Sequence, residues 1–537
     1  MISQLRVAVV AACVLSALSA QRQQWQVAYP LGGEHRHMMS FVDYDGDGCR
    51  DYLRLSYPNQ FAPWPYLQIA SGKSGATLYE YTQLPVTWPS GACHAGDVDG
   101  DGVPDMAILH GGSSFRLIDM WSTGQNTVLW QVWGSGPGQF GDAMLGNIDV
   151  DGDGRPDFVS ITSHSLESDV YVYDHMGQTR YVLPCLSNGR IAISLANMGD
   201  LDGDGGEDLL IGCNDASQRG LQWLVSGRTG ATIRETYGLL PGDKTSDLVS
   251  NLGDIDGDGV ADYAAFPWFS TTRLIAVAYS GATGAVIRSW DDYAFSVVVG
   301  EDFDQDGVND IVSGSDWVVA GNLAGRTYCY SGRDGSELWR VDNAPVVPAS
   351  SGITGGSGWM DTSVSLGVQP GNPYPVLAWI EPQWIMVGTS RGRIRAFGGA
   401  GAGQGPVTGT ACTSSGTLPL IGVRKLGVGT ANTGFRTTVA KTHANALAAL
   451  NFAFTALAAP VDLTPFGFAA CTFYVDPAAS VLAVTGSTGI DRGYAAADLP
   501  HPLSAATSGT DIVAQWLVYD PATLAHAATQ MHAIRLQ

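Results

Sequence analysis

Apolar residues in this chain come in short runs without helical spacing. YLRLS (52–56), MAILH (106–110) and LLIGC (209–213) are typical, and each follows directly on an acidic loop of the form D-x-D-x-D-G-x-x-D. Runs of this length, rich in β-branched and aromatic residues and bounded by Gly, Asp and Ser, predict strands. A second set, YLQIA, LQWLV, LIAVA and TYCY, ends at a glycine-rich turn and resumes as ATLYEY, ATIRET, AVIRSW and ELWRV. That is a β-hairpin pattern. The predicted unit is strand, acidic loop, strand, variable loop, strand, SGxxG turn, strand.

The unit repeats. Its acidic loop occurs six times, with first aspartates 54, 52, 51, 54 and 48 residues apart. The SGxxG turns at Ser71–Gly75, Ser226–Gly230, Ser280–Gly284 and Ser331–Gly335 follow 26 to 29 residues after their loop's first aspartate. The second and third units have weaker glycine turns at Gly124 and Gly177. A period near fifty residues with four strands per unit predicts a β-propeller.

After the sixth unit, PVLAWI, WIMVGTS and GRIRAFGG predict three more strands without an acidic loop. The fourth is expected from the other end of the chain. There Gln24-Trp25-Gln26-Val27 resembles the outer-strand segments around Trp130 and Trp339. Seven blades are expected, the last closed by residues 22–30, which removes the exposed sheet edge.

Each loop brings carboxylates together. Positions 1, 3 and 5 are Asp43, Asp45 and Asp47 in the first loop, then Asp97, Asp99 and Asp101, and Asp149, Asp151 and Asp153. The later loops supply Asp200, Asp202 and Asp204, Asp254, Asp256 and Asp258, and Asp302, Asp304 and Asp306. Position 9 is Asp51, Asp105, Asp157, Asp208, Asp262 and Asp310. Glycine at position 6 allows a sharp turn with positive φ. A cage of hard oxygens suits Ca2+ better than Mg2+, which keeps more of its water. About six calcium sites are expected. The EF-hand is excluded, because position 12 is Arg54, Ile108, Ser160, Ile211, Ala265 and Ser313, not a carboxylate. In the sixth loop Gln305 replaces the position-4 glycine, which is not a required ligand.

These loops resemble the FG-GAP (VCBS-type) repeats of integrin alpha-subunit propellers and of secreted bacterial proteins, over residues 36–345. The resemblance implies a calcium-binding β-propeller. The seventh unit departs from the pattern, so no metal is expected there.

The formal charge is −23, but 24 aspartates sit at positions 1, 3, 5 and 9 of the six loops. Six divalent ions, +12, would bring the total to −11, so much of the acidity belongs to the loops. With 28 basic against 51 acidic residues, no phosphate-neutralising stripe is present and nucleic acid is disfavoured as a partner. Met1–Ala20 reads as a secretory signal peptide, and no other run is apolar for the length of a membrane-spanning helix. The chain thus divides into a signal (1–20), a propeller (21–397), a Gly-rich linker (398–406) and a C-terminal β-sandwich-like domain (407–537). The run from His443 to Leu457 also suits a helix. Of the seven cysteines after cleavage, Cys412 and Cys471 are the expected disulfide, because both lie in the C-terminal domain.

Candidate chemistry outside the loops is sparse. Glu34-His35-Arg36-His37 and His94 could line the channel as acid/base groups, or simply be polar residues beside inner strands. The G-x-S-x-G match at Gly388–Gly392 joins two strand-like runs, whereas a nucleophile elbow needs a strand-to-helix turn. Loop carboxylates are committed to the metal. The variable loops, on the rim away from the aspartates, hold Phe61, Trp64, Tyr66, Trp268, Phe269 and Trp317, with Trp88 in an inter-blade connection. Trp64, Tyr66, Trp88, Trp268 and Trp317 are candidate ligand-binding aromatics, able to stack on sugars or anchor a protein, the alternative being packing between blades. The expected function is a secreted or cell-surface, monomeric, non-enzymatic recognition module for a glycan or protein. The alternatives are an extracellular polysaccharide lyase and a scaffold without a ligand.

Overall fold

The computed structural model describes residues 22–28, 34–57, 66–82, 89–111, 116–134, 140–162, 168–215, 219–238, 246–266, 275–291, 296–319, 322–342, 347–348, 363–369, 372–381, 393–398, 404–408, 410–414, 417–426, 434–500 and 511–535. It is all-β: a propeller of four-stranded antiparallel blades followed by a β-rich C-terminal domain. Helical elements among the described residues are short 3-10 turns.

Blade 1 is built, from inside out, of Glu34–Ser40, Tyr52–Tyr57, Tyr66–Ala70 and Thr77–Tyr81. Blades 2 to 6 repeat this order from inner strands Pro89–Gly96, Phe140–Ile148, Arg190–Gly199, Leu248–Gly253 and Ser296–Glu301. Blade 7 comprises Ser363–Gln369, Asn372–Glu381 and Arg393–Gly398, and its outer strand is Arg22–Ala28 from the N-terminal end. Each inner strand lies beside the next around the axis, and that of blade 7 adjoins those of blades 6 and 1. The ring is closed.

Apolar faces of adjacent blades make the core. Phe41, Leu53, Leu55 and Ile69 of blade 1 pack on Ala92, Met106 and Ile108 of blade 2, and each blade pair repeats such a cluster. Strands buried on both faces explain the continuous apolar runs, such as residues 106–109 (MAIL) of strand Asp105–Gly111, all buried.

A polar link is repeated between blades. Trp25 Nε1 donates to the Gly72 carbonyl at 2.8 Å, Tyr79 to Asn126 at 2.8 Å, Trp130 to the His175 carbonyl at 3.0 Å and Arg288 to the Gly332 carbonyl at 2.9 Å. Tyr181 and Arg234 likewise reach the carbonyls of Gly227 and Gly281. The outer strands of blades 1 to 5 and of blade 7 are thus tied to the third-to-fourth-strand turn of the next blade, whereas Trp339 Nε1 in the outer strand of blade 6 is buried without a hydrogen-bond partner. The resemblance of the Trp25, Trp130 and Trp339 segments reflects this shared place in the outer strands.

In the C-terminal domain, Leu420–Leu426, Gly434–Ala440 and Ala495–Pro500 form one sheet. It packs on a larger sheet centred on Leu447–Ala453 and Asp511–Asp520, around Phe435, Leu450 and Trp516. The run from His443 to Leu457 forms a turn and then strand Leu447–Ala453, not a helix, because alternate residues Ala448 and Leu450 enter this core. Cys412 and Cys471 form a disulfide, with Cα atoms 5.3 Å apart, whereas Cys49, Cys93, Cys185, Cys213 and Cys329 are free thiols.

Candidate metal centres and the opposite rim

Each acidic loop leaves the inner strand of its blade and enters the second strand. In the first, the Asp43 carboxylate accepts the amides of Asp47 (3.0 Å) and Gly48 (2.8 Å), and Asp45 accepts that of Asp47 (3.2 Å). Asp47 in turn accepts the Cys49 amide at 2.9 Å. The loop is therefore wound around its own carboxylates. Backbone conformation demands glycine at two positions, not one: φ is 73° at Gly46 and 85° at Gly48, and the other loops follow. Gln305 adopts the same left-handed conformation, with φ 58°.

Ligand atoms lie within 4.8 Å of one another in the sets Asp43/Asp45/Asp51, Asp97/Asp99/Asp101, Asp149/Asp151/Asp157, Asp200/Asp202/Asp208 and Asp254/Asp256/Asp262. These clusters could hold a metal ion. Their donors are all carboxylate oxygens, which suits a hard divalent cation.

The position-9 aspartate has a second task that spacing alone did not reveal. Asp51 is fully buried; its Oδ2 accepts the Tyr44 amide at 2.8 Å and its Oδ1 accepts the Gly72 amide at 2.9 Å. Asp208, Asp262 and Asp310 accept the amides of Gly227, Gly281 and Gly332 in the same way, at 3.0, 2.9 and 3.0 Å. This glycine has no room for a side chain: a Cβ on Gly72 would lie 1.8 Å from the Arg50 carbonyl oxygen. The acidic loop and the SGxxG turn are thus one joined structure on one rim. Blade 3 lacks that turn, and Asp157 Oδ1 is buried without a hydrogen-bond partner. Burial pushes Asp51, Asp105 and Asp262 up to about 6 and Asp157 to about 7.

The C-terminal domain lies over the loops of blades 5 and 6. Arg424 Nη1 donates to Asp334 Oδ1 at 3.2 Å, Arg333 Nη1 to Asp491 at 2.9 Å, and the Arg333 guanidinium stands 3.7 Å above the Tyr494 ring. A cavity of about 630 Å³ remains there, lined by Asp254, Asp258, Arg333, Lys441, Arg492 and Tyr494 among others. Deeper in the same interface, Tyr374 of blade 7 hydrogen-bonds His532 of the sandwich.

The other candidates are distributed differently. His94 packs edge-on against Phe41 at 4.7 Å, and burial lowers its pKa to about 4. His35 and His37 lie in the inner strand of blade 1. Tyr66 begins the third strand of blade 1 and is 40% exposed. Trp317 is not in a loop: it belongs to strand Asp310–Val319 and faces Ala324 across the ladder, because this hairpin continues pairing out to Val319 and Asn322. Trp64, Trp88, Trp268, Phe61, Phe269 and the segment Gly388–Gly392 lie outside the described residues. On the rim away from the aspartates, blades 1 to 3 frame a cavity of about 410 Å³ that the sequence did not disclose. Its lining includes Met38, Met39, Cys93, Leu109, Arg116 and Met144.

Residues 149–211, spanning the third and fourth acidic loops, match the FG-GAP-like repeat family model. The chain is also similar to integrin alpha-4 of Xenopus laevis, with 28% identity over 170 residues. That similarity covers 28% of this chain and 16% of the relative, so the chain spans about a sixth of its length. The protein carries FG-GAP repeats on an integrin alpha-like β-propeller.

Proposed function

We propose that this protein is an extracellular, calcium-loaded adhesion-type module that recognises a protein or glycan through the rim opposite its aspartate loops. The observation that carries the reading is the recurrence of one converging aspartate set at the same place in successive blades. Bound Ca2+ offsets two of the four negative charges its loop brings together and cross-links the first two strands of its blade. All 24 loop aspartates, at positions 1, 3, 5 and 9 of the six loops, are the proposed ligands. The likeness to integrin alpha-4 favours a binding role over catalysis and an extracellular setting. No helix among the described residues is long and apolar enough to cross a membrane.

Two features favour the opposite rim. The C-terminal domain covers part of the aspartate rim, and the Met-lined cavity of blades 1 to 3 opens among strand ends remote from the loops. Exposed Tyr66, at the start of the third strand of blade 1, would extend such a surface.

The test is a glycan-array and surface-protein screen of the full chain in millimolar calcium. Binding that Tyr66→Ala weakens is the expected result. New unsaturated ends on acidic polysaccharides, seen by ultraviolet absorbance, would replace this reading with a lyase. Blank results in both assays would leave a scaffold.

A further inference from the structure

The sixth aspartate loop differs from the others in its cover. Position-3 and position-5 aspartates are exposed or half-buried in the first five loops. In the sixth, Asp304 is 2% and Asp306 1% exposed, with Gln305 buried between them. The cover is the sandwich. Its strand Leu420–Leu426 approaches so closely that a Cβ on Gly422 would lie 2.1 Å from the Asp304 carbonyl oxygen. On the other side, a Cβ on Gly307 would lie 3.0 Å from the Ala440 Cβ.

The buried loop keeps the fold of the open ones. Asp306 N donates to Asp302 at 3.0 Å and to Asp304 at 3.2 Å, and Gly307 N donates to Asp302 at 2.8 Å. Inside it, Asp304 Oδ2 is buried and has no hydrogen-bond partner. The Arg424 guanidinium stands 3.8 Å from that oxygen, beyond hydrogen-bond reach, and is committed to Asp334. Arg333 is committed to Asp306 at 3.0 Å. Asp334 and Asp491, the outer partners of these arginines, are exposed to water. Lys441, which acts on Asp302, is likewise exposed to water. Four loop carboxylates against two buried guanidiniums leave two negative charges in a dry interface, and one divalent cation would balance them.

We infer that the sixth loop is an interdomain cation site, whose divalent ion is sealed between propeller and C-terminal sandwich and leaves only when the sandwich lifts. This rests on the reading of the loops as calcium sites. Ion binding and sandwich docking are then one linked equilibrium: chelation loosens the sandwich, and loosening the sandwich frees the ion. The loops of blades 1 to 4 exchange their ions without this coupling, and that of blade 5, which touches the sandwich at Gly257, keeps Asp254 and Asp258 open to water.

The full-length chain, loaded with calcium and mixed with a chelating dye in stopped flow, is expected to release most of its ions quickly. One equivalent should leave at least about tenfold more slowly, limited by the fraction of open molecules. Asp304→Asn should remove that slow equivalent alone. Arg424→Ala should keep its amplitude and speed its release. Hydrogen exchange of the wild type should show that chelation exposes residues 420–426 and 434–440. A single release phase, or a slow phase that survives Asp304→Asn, overturns the inference while leaving calcium binding intact. Absence of any released calcium overturns the underlying reading instead. Should Asp304→Asn fail to fold, unchanged exchange protection of those two strands on chelation is the overturning result.

Discussion

Trp25, in the outer strand of the last blade, donates its indole N–H to the carbonyl of Gly72 in the first, at 2.8 Å. Its ring also stacks on Tyr52 of blade 1, with centroids 5.8 Å apart. The two ends of a long ring are therefore joined by the same link that joins its interior blades. Trp25→Phe keeps the stack and loses the hydrogen bond, at an expected cost of about 1 kcal/mol. Trp25→Ala loses both, and about 3 kcal/mol is expected. Urea unfolding of the two variants checks the order.

The bond from the Gly281 amide to Asp262 makes a second prediction. Asp262 also accepts the Ile255 amide at 2.8 Å, so Asp262→Ala strands two buried donors. A loss of about 2–4 kcal/mol is expected even in excess chelator, where metal ligation plays no part. Gly281→Ala should cost about 3 kcal/mol, because its Cβ would meet the Ala261 carbonyl oxygen at 1.8 Å and backbone cannot yield cheaply. Equal stability of either variant and wild type in chelator would refute the clamp.

Calcium should stabilise the folded chain by mass action. Each independent site adds about 2.7 kcal/mol when free calcium is a hundredfold above its dissociation constant. A thermal melt with and without chelator is expected to show a large shift, and Asp254→Asn should lower the calcium stoichiometry by one. An unchanged melting temperature would remove the structural role of the metal.

His532 is wholly buried at the interface with blade 7, where it meets Tyr374, and burial lowers its pKa to about 4. The unfolded chain takes up this proton near pH 6.5 and the folded chain only near 4. Stability from this group is therefore present above pH 6.5 and lost as pH falls from there toward 4, by at most about 1.4 kcal/mol per pH unit. His94 adds the same sign from blade 2. His532→Gln should flatten its share of the slope between pH 7 and 5, read by denaturant unfolding at each pH.

The repeated loop was legible because it is a local structure. Its carboxylates, its glycines and the following strand lie within a dozen residues, so backbone sterics and hydrogen bonding fix it wherever it occurs. Blade number and the closing strand were legible too, since phase and the Trp25, Trp130 and Trp339 segments recur. Trp317 was misplaced because nothing local ends a hairpin whose pairing simply runs on to Val319. His443–Leu457 was ambiguous because alanine and leucine suit helix and strand alike, and only the facing sheet chooses between them.

By itself, then, the sequence determined the unit, its count and the clustering of carboxylates in each loop, all of which depend on neighbours along the chain or on exact repetition. Only the tertiary structure decided that Asp51, Asp208, Asp262 and Asp310 bind their blades' turns. It alone put Arg424 and Gly422 over Asp304, and so set one loop of six apart. Those relations join residues from about 20 to more than 100 positions apart in the chain. Their geometry comes from how sheets stack and domains dock, and no periodicity in the chain encodes it.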